Sequence, residues 1–402
     1  MTDELDEWLR GVRPRLLKHL SEDILPYWLL PDMLGSPVGN FPTYANQYGV
    51  PDRTKNRYVR MHGRQTYAYL ASFLMLHRRE LLDYGMAGLA KLEEYENPNG
   101  GYFSQSTWNG ECLPTPITIQ DQCYSVFPYV MAYRVTGEDR FLRKMWDFIH
   151  FIDGGPYLRD DGTYCDSLLP DLTTECRFET PTLNIVSVID FVNLILIPAL
   201  CVTPPESLTD EMKGILVKWT DMLVRDFWGK GIFWNDKVNR SDWQAKHVDF
   251  GHTSKSYGIV FKANELLARW GMPECHCEIV ERYPEMVRAA STNRVGWLTD
   301  FVGSATTFAK KDLQWWRHIL INQTVFHYAS RYPGLVQYLG IGLESWFDCE
   351  YVDRTRACRG IREGLDCNGY CIWNADESAS KANCWKNAYH EVEHVLTLTG
   401  EE

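Results

Sequence analysis

Two short segments of the chain place a histidine beside aromatic and polar residues. The first spans residues 249–255 (DFGHTSK) and contains His252 directly after a glycine, and the second spans residues 385–391 (WKNAYHE) and contains His390. We expect His252 to lie at the start of a helix and His390 to lie early in the last helix. An unperturbed imidazole has a pKa of about 6.5, which suits a general acid or base near neutral pH. This pattern favours proton-transfer chemistry.

The second segment also matches H-E-x-x-H, the pattern of zinc hydrolases. His390 and His394 are four residues apart and share one helix face, and Glu391 would activate a metal-bound water. Such sites need a third ligand, usually from a later element, and only eight residues follow His394. Zinc hydrolysis is therefore an alternative, and no metal site is predicted.

Other metal and carboxylate patterns are weaker. Residues 275–277 (CHC) and the pair Cys367 and Cys371 lack the C-x2-C spacing of structural zinc sites. A glycoside hydrolase or lyase would need two carboxylates across a cleft. The candidates are Asp160, Asp161, Asp249 and Asp300, but the sequence does not pair them, and we expect solvated loop residues there.

The elements that must position these residues are helices. Apolar residues recur at spacings of three and four along most of the chain, which is typical of amphipathic helices. A break is expected near residues 77–79. The predicted helices span residues 5–20, 63–95, 121–136, 138–153, 182–200, 209–227, 254–270, 280–291, 312–331, 333–347 and 379–398.

A glycine followed by aromatic residues recurs about every 60 to 75 residues, roughly the length of one helical hairpin and its loop. The glycines are Gly101, Gly162, Gly231, Gly296 and Gly369. A fixed period of helix pairs indicates a solenoid or a toroid. We predict an all-α closed ring of helical hairpins formed by residues 1–402 as a single catalytic domain, with an irregular helical bundle as the alternative.

Composition and charge limit the partners. The formal net charge is −12, which argues against nucleic acid and anionic membranes as partners. We find no uninterrupted apolar run of about 18 residues and no signal peptide, so we expect a cytoplasmic protein without a membrane span. The 12 cysteines are expected to be mostly reduced and buried. The sequence leaves the oligomeric state open, a homodimer included.

Several segments resemble the N-acylglucosamine 2-epimerase and cellobiose 2-epimerase superfamily, whose fold is an (α/α)6 barrel. The resembling segments follow the family's order from residue 60 to residue 395. They are 63–65 (GRQ), 121–127 (DQCYSVF), 133–137 (YRVTG), 251–252 (GH), 315–316 (WW) and 385–390 (WKNAYH).

The resemblance implies proton transfer on a reducing sugar without a metal or redox cofactor. One base removes the proton beside the carbonyl of the open sugar, and a second group returns a proton, which gives 2-epimerisation or aldose–ketose isomerisation. His252 and His390 would be this acid/base pair, and Arg64 would stabilise the developing oxyanion. Trp316 and Trp385 would stack on the sugar, and Tyr389 belongs to the same binding segment.

The chain also departs from the family pattern. A glutamate that positions a histidine is replaced by Lys255, which we expect to lie in the pocket. The helix that begins at Asn184, a predicted substrate-binding residue, has Val188 at a histidine position, and Leu320 occupies an acidic position. These changes leave open a divergent enzyme of specialised metabolism that acts on a less polar carbonyl compound. Val188 and Lys255 also leave open a binding protein without catalytic activity.

Overall fold

The computed structural model describes residues 3–176, 182–239, 241, 248–292, 295–301, 307–354, 359–371 and 381–401. Helices dominate these ranges. They are α1 (Asp3–His19), α2 (Leu25–Trp28), α3 (Pro31–Leu34), α4 (Val59–Leu76), α5 (Arg79–Glu93), α6 (Ile119–Val126), α7 (Pro128–Thr136), α8 (Asp139–Asp153), α9 (Ile185–Asp190), α10 (Ile197–Val202), α11 (Asp210–Phe227), α12 (Phe250–Arg269), α13 (Cys277–Ala290), α14 (Trp315–Ala329), α15 (Val336–Asp348) and α16 (Tyr389–Leu398).

Short antiparallel β-ribbons lie in the connections between helices. Their two-residue strands are β1 (Arg57–Tyr58), β2 (Gln105–Ser106), β3 (Ile117–Thr118), β4 (Ser167–Leu168), β5 (Trp228–Gly229), β6 (Ile232–Phe233), β7 (Ser291–Thr292), β8 (Gly296–Trp297), β9 (Asp300–Phe301), β10 (Phe308–Ala309), β11 (Leu313–Gln314) and β12 (Gly364–Leu365). The pairs are β1 with β2, β3 with β4, β5 with β6, β7 with β8, β9 with β10 and β11 with β12.

The chain forms two compact units. Unit 1 contains Met1–Tyr27, Thr220–Lys381 and His390–Glu402, and unit 2 contains Trp28–Trp219 and Ala382–Tyr389. Each unit is therefore assembled from segments that are far apart in the sequence. The prediction of one catalytic domain over residues 1–402 stays a prediction.

Each unit has its own aromatic core. In unit 1, helices α12, α13 and α14 pack together, and the Tyr328 ring lies 4.5 Å from Phe261 and 4.4 Å from Tyr283 between ring centroids. In unit 2, α4 packs against α5, α6 and α7, and the Tyr67 and Phe127 rings stack at 4.5 Å. Such rings bury large apolar surfaces, which is the main favourable contribution to folding.

The recurring glycines have one backbone requirement in common. Every one of the five adopts a positive φ, between 63° and 88°, and lies in or beside the turn of a short hairpin. L-residues with a side chain rarely adopt this conformation, whereas glycine adopts it at little cost. The period in the sequence thus marks the tight turns that follow the helices.

Three helix boundaries are informative in comparison with the predictions. The long stretch breaks where expected, because His77 adopts a left-handed conformation (φ 54°) between α4 and α5. Helix α12 begins at Phe250, four residues before the predicted start, since the Asp249 side chain caps it. Helix α16 begins at Tyr389, and the predicted start at residue 379 lies outside the described residues.

One segment is long and apolar enough to cross a membrane by composition. It spans Ile185–Val202, has a mean hydropathy of 2.4, and is 72% buried within the protein. Asp190 and two other polar residues interrupt this apolar run, and the expectation of no membrane span stays a prediction. A buried core helix has the same composition, and the carboxylate of Asp190 accepts a hydrogen bond from Gln120.

Gly63 provides a stability test of the packing in unit 2. A Cβ added at Gly63 would lie 1.9 Å from the Tyr124 carbonyl oxygen, which is backbone and cannot swing away. We expect Gly63→Ala to lower the free energy of unfolding by about 1–3 kcal/mol, as overpacking does. Urea unfolding followed by circular dichroism measures the change.

Gly214 in α11 is the matched control, because its added Cβ would meet nothing within 4 Å. We expect Gly214→Ala to stabilise the protein by up to about 1 kcal/mol through helix propensity. Equal effects of the two substitutions would contradict the close approach of α4 and α6.

Candidate functional site

The N-terminus of α12 holds His252 through a single carboxylate. Asp249 is the N-cap residue, and its Oδ1 accepts a hydrogen bond of 2.8 Å from the backbone N–H of His252. Its Oδ2 lies 2.8 Å from Nδ1 of the His252 ring and also accepts a bond of 3.2 Å from the Asn235 side-chain amide. Both oxygens of Asp249 are therefore engaged in fixing this histidine.

This contact determines which ring nitrogen is available. The carboxylate can only accept, so Nδ1 of His252 carries the donated hydrogen, and the neutral ring keeps its lone pair on Nε2. The His252 side chain is 20% exposed, whereas that of Asp249 is only 1% exposed. The pair therefore provides a partly accessible imidazole whose tautomer is set by a buried carboxylate.

The expectation that Asp249 is a solvated loop residue is wrong. Burial by itself would raise the pKa of this carboxyl. The charge and hydrogen bonds of His252, together with the nearby Arg317 guanidinium, outweigh burial and hold the pKa of Asp249 well below its usual range. The carboxylate therefore stays ionised next to the histidine. Its position before a helix is an N-cap signal that the sequence did contain.

Asp300 is the second carboxylate that does not lie in solvent. It forms an isolated bridge with Asp249 through the backbone, is buried, and accepts a hydrogen bond of 3.0 Å from Nη1 of Arg317. Asp160, by contrast, is exposed as expected. Asp249 and Asp300 are thus each committed to a cation or a histidine, an arrangement that does not favour the acid and nucleophile pair of a glycoside hydrolase.

The tryptophan pair at the start of α14 contacts both candidate catalytic histidines. The Trp316 ring lies 4.7 Å from the His252 ring, and the Trp315 ring lies 6.1 Å, edge-on, from the His390 ring, both between centroids. Trp315 is buried, and His390 is 8% exposed in the first turn of α16. The structure thus brings the two histidines of unit 1 to the same end of α14.

His394 has a different environment from His390. It is buried, its Nε2 accepts a hydrogen bond of 3.1 Å from the Asn322 side-chain amide, and the Trp346 ring packs edge-on against it. Burial, with His318 and His19 nearby, lowers the pKa of His394 well below its ordinary value. A zinc-binding pair would direct one nitrogen of each histidine to a common ion, and this core position of His394 does not favour that alternative.

Lys255 lies in α12, one turn after His252, and is buried. The ring of His252 is held by Asp249 at Nδ1. The expected role of Lys255 in the pocket stays a prediction. Leu320 in α14 of unit 1 and Val188 in α9 of unit 2 are both buried.

Arg64 lies in unit 2 in an aromatic setting. Its Nη1 donates a hydrogen bond of 2.8 Å to the backbone carbonyl of Trp385, and its guanidinium lies 3.7 Å from the Tyr124 ring centroid and 5.6 Å from that of Tyr389. A buried guanidinium over aromatic faces is held by cation–π attraction. The structure thus brings together Arg64, Trp385 and Tyr389, three residues that the sequence selected from distant segments.

Trp385 and Tyr389 differ in exposure. Trp385 is 53% exposed, and the Arg60 guanidinium lies 4.0 Å from its ring centroid. Arg60 was not predicted from the sequence, and it also forms an ion pair of 3.2 Å with Asp121. Tyr389 is fully buried against the rings of Tyr67, Tyr124 and Phe127. Exposure is compatible with a stacking role for Trp385, whereas the ring of Tyr389 belongs to the aromatic core.

Asn184 has a local structural role. Its side-chain oxygen accepts a hydrogen bond of 2.9 Å from the Val186 backbone N–H and so caps α9. Its own backbone N–H donates to the Asp166 carboxylate at 3.1 Å. Capping explains an asparagine at this position, and substrate binding by Asn184 stays a prediction.

The Asp249 carboxylate makes a testable contribution to stability. Asp249→Asn keeps an N-cap acceptor but removes the charge, so we expect a loss of about 1.5–3 kcal/mol at pH 7, the worth of hydrogen bonds to a charged group. The folded pKa lies below the unfolded value of about 3.9, so the contribution is complete above that value and is lost as the pH falls through the folded pKa.

Urea unfolding of wild type and Asp249→Asn at pH 7, 5 and 3 measures this difference. The difference should be smaller at pH 3 than at pH 5, because the unfolded carboxyl is protonated at pH 3. The matched control is Asp160→Asn at an exposed position, which should change stability by less than about 0.5 kcal/mol. A difference that is the same at all three pH values would contradict the proposed pairing of Asp249 with His252.

His390 and His394 are expected to respond differently to substitution. His394→Ala leaves a cavity and an unsatisfied amide at Asn322, so it should lower the free energy of unfolding by about 2–4 kcal/mol. His390→Asn should leave the zinc content of the purified full chain unchanged. Loss of one equivalent of zinc in His390→Asn, measured by elemental analysis, would instead support the zinc-hydrolase alternative.

No family model and no curated protein matches the chain. Solved structures do match it over nearly its whole length. The chain is similar to a cellobiose 2-epimerase from Spirochaeta thermophila DSM 6192, with a TM-score of 0.81 and 16% identity over 99% of this chain and 98% of that one. It is also similar to the cellobiose 2-epimerase of Bacillus thermoamylovorans B4167, with a TM-score of 0.80 and 12% identity over 98% and 100%.

A D-mannose isomerase is similar at a TM-score of 0.76, with 11% identity over 100% of both chains. An unsaturated glucuronyl hydrolase specific for heparin is more distant, at a TM-score of 0.59 and 11% identity over 98% of this chain and 96% of that one. At such identities the similarity is one of fold. It confirms the predicted fold class: the chain is an all-α protein of the (α/α)6-barrel fold.

Proposed function

We propose that this protein is an isomerase or epimerase that moves a proton next to the carbonyl of a reducing sugar. The observation that carries the proposal is the Asp249–His252 pair, which fixes an imidazole with its basic Nε2 available. The contacts of Trp316 with His252 and of Trp315 with His390 support it further, since they place a second histidine at the same end of α14. The fold shared with sugar epimerases and an isomerase is consistent with this function.

Asp249 can replace the glutamate that the family pattern has at position 255. The resemblance implies that a carboxylate three residues after the first histidine positions it, and this chain has Lys255 there. We infer that Asp249, three residues before His252, supplies the carboxylate from the other side along the chain. The reaction then does not depend on an acidic residue at position 255. A histidine held by a carboxylate keeps one tautomer and one ring orientation, and its imidazolium is stabilised.

The proposed steps use only side chains. His252 removes the proton from the carbon next to the carbonyl of the open sugar, and the electron pair moves onto the carbonyl oxygen to form an enediolate. His390, protonated, returns a proton to the opposite face of the same carbon, which gives the 2-epimer, or to the neighbouring carbon, which gives the ketose. Asp249 stabilises the imidazolium that forms on His252 during the first step.

The roles of the other candidates rest on the resemblance. We expect Arg64 to donate hydrogen bonds to a developing oxyanion, Trp316 and Trp385 to stack on sugar rings, and Asn184 and Tyr389 to shape binding. Cytoplasmic location and a homodimer remain predictions. A substrate less polar than a sugar remains the alternative, favoured by the apolar residues Val188 and Leu320.

Deuterium exchange tests the proposal directly. The full chain is incubated in deuterated water with cellobiose, D-mannose or D-glucose, and the products are followed by proton NMR. We expect incorporation of deuterium at C2 of at least one sugar, with or without a new epimer or ketose. Absence of exchange in all reducing sugars tried, with exchange in a less polar carbonyl compound, would overturn the sugar assignment and keep the proton transfer.

Histidine variants test the assignment of the acid and the base. His252→Asn and His390→Asn should each lower turnover by about 10²–10⁴-fold, the usual contribution of a positioned acid or base, with a much smaller change in substrate affinity. His150→Asn, an exposed histidine in α8, is the matched control and should keep wild-type turnover. Full activity in both active-site variants would refute the mechanism.

Two further variants examine the carboxylate inference. Asp249→Asn should lower turnover strongly while substrate affinity changes little, because the amide can favour the wrong tautomer of His252. Lys255→Glu restores the acidic residue of the family at that position. It should raise weak sugar activity if only epimerase ancestry matters, and it should abolish the native reaction if Lys255 takes part in a different chemistry.

A further inference from the structure

The segment of residues 275–277 (CHC) takes no part in the proposed reaction, yet it lies in a cluster of metal-ligating groups of unit 1. Asp221 on α11, Cys275 and His276 each offer one donor atom, and these three atoms all lie within 4.8 Å of one another. The set combines an oxygen, a nitrogen and a sulfur donor. The sequence spacing alone did not indicate it, because Asp221 is more than fifty residues away along the chain.

His276 is held towards α11 by its backbone and its ring. It is the N-cap residue of α13 and has φ 53° and ψ 39°, a left-handed conformation that costs energy for a residue with a Cβ. Its Nε2 lies 2.8 Å from Oδ1 of Asp221. The side chains of His276 and Asp221 are 25% and 55% exposed, so an ion can reach them from solvent.

Cys275 is fixed by a buried side chain of α12. Asn264 accepts a hydrogen bond of 2.9 Å from the Cys275 backbone N–H and one of 3.4 Å from its thiol, and its amide donates to the Cys275 carbonyl at 2.8 Å. Asn264 is almost fully buried. Helix α12 therefore sets the position of the thiol relative to His276. Outer-shell hydrogen bonds orient metal ligands in the same way.

We propose that Asp221, Cys275 and His276 bind one borderline-soft divalent cation, such as Zn²⁺, with water completing a tetrahedral shell. Mixed carboxylate, imidazole and thiolate donors suit zinc, whereas magnesium and calcium prefer oxygen alone. Three protein ligands and a solvent-accessible fourth position are common for this ion. The site is separate from the proposed proton-transfer reaction.

Binding of the metal ion releases one proton from the protein. The Cys275 thiol loses its proton and the thiolate forms the bond to the ion, while neutral His276 moves its remaining hydrogen to Nδ1 so that Nε2 can coordinate. The ion displaces the thiol proton on binding, because the thiolate is the form of cysteine that coordinates a metal.

An ion at this place would connect α11 to the loop before α13. Because the ligands come together only in the folded chain, binding should stabilise the protein by mass action. We therefore expect Zn²⁺ to raise the Tm of the wild-type protein, and to raise it less in any variant that lacks a ligand.

Titration of the untagged, metal-stripped full chain with Co²⁺ tests the proposal. We expect one equivalent to bind with a thiolate-to-cobalt charge-transfer band in the near ultraviolet, and Zn²⁺ to displace it. Cys275→Ser should abolish that band. His276→Ala and Asp221→Asn should each weaken binding more than about tenfold, since even an outer-shell partner contributes that much. Cys367→Ser, at an exposed thiol, is the control and should bind as wild type.

These outcomes are independent of the proton-transfer experiments, because metal binding is measured by spectroscopy and not by turnover. No charge-transfer band, a band that persists in Cys275→Ser, or unchanged affinity in His276→Ala and Asp221→Asn would each overturn the proposed site. If Cys275→Ser fails to fold, the Zn²⁺-dependent Tm shift of the other two variants decides the question.

Discussion

The carboxylate of Asp249 is the interaction on which the candidate site depends. One oxygen caps the first turn of α12, which fixes where the helix begins, and the other holds Nδ1 of His252, which fixes the tautomer and orientation of the ring. An N-cap is typically worth about 1 kcal/mol, and an ionic hydrogen bond somewhat more. The same group thus couples the local fold to the chemistry, because moving the cap would move the histidine.

The end of α14 completes this arrangement. Consecutive residues of a helix point about 100° apart, so Trp315 and Trp316 can contact two different neighbours. They do so, with His390 on one side and His252 on the other. Arg317 follows directly, and its pairing with Asp300 places a cation near Asp249 that helps keep this carboxylate ionised. Three consecutive residues therefore organise much of the site in unit 1.

His252 and His394 differ in their environments, and this difference separates their expected roles. His252 is partly exposed with a carboxylate on Nδ1, whereas His394 is buried with an amide on Nε2 and a tryptophan against its ring. Burial lowers the pKa of His394, whereas the carboxylate of Asp249 fixes the tautomer of His252. The first environment suits proton transfer and the second suits a neutral core residue, although both histidines lie in segments that a motif would select.

Sequence alone determined the helical architecture and the turns of this protein. Periodic apolar residues predict helices because packing requires one apolar face, and the repeated glycines predict tight turns because only glycine adopts a positive φ at little cost. It also selected His252, His390 and the tryptophan pair. Local signals could not reveal that Arg317 pairs with Asp300, or that Arg64 lies over the rings of Tyr124 and Tyr389, because these partners are not neighbours in the sequence.

Only the tertiary structure decided that Asp249 and Asp300 are buried and paired, that Arg60 lies over Trp385, and that Asp221 meets Cys275 and His276. The N-cap position of Asp249 was readable from local rules, but its burial was not, because burial depends on what packs around a loop. The physical reason is the same in each case: secondary structure follows from neighbours in sequence, whereas charge pairing and exposure follow from neighbours in space.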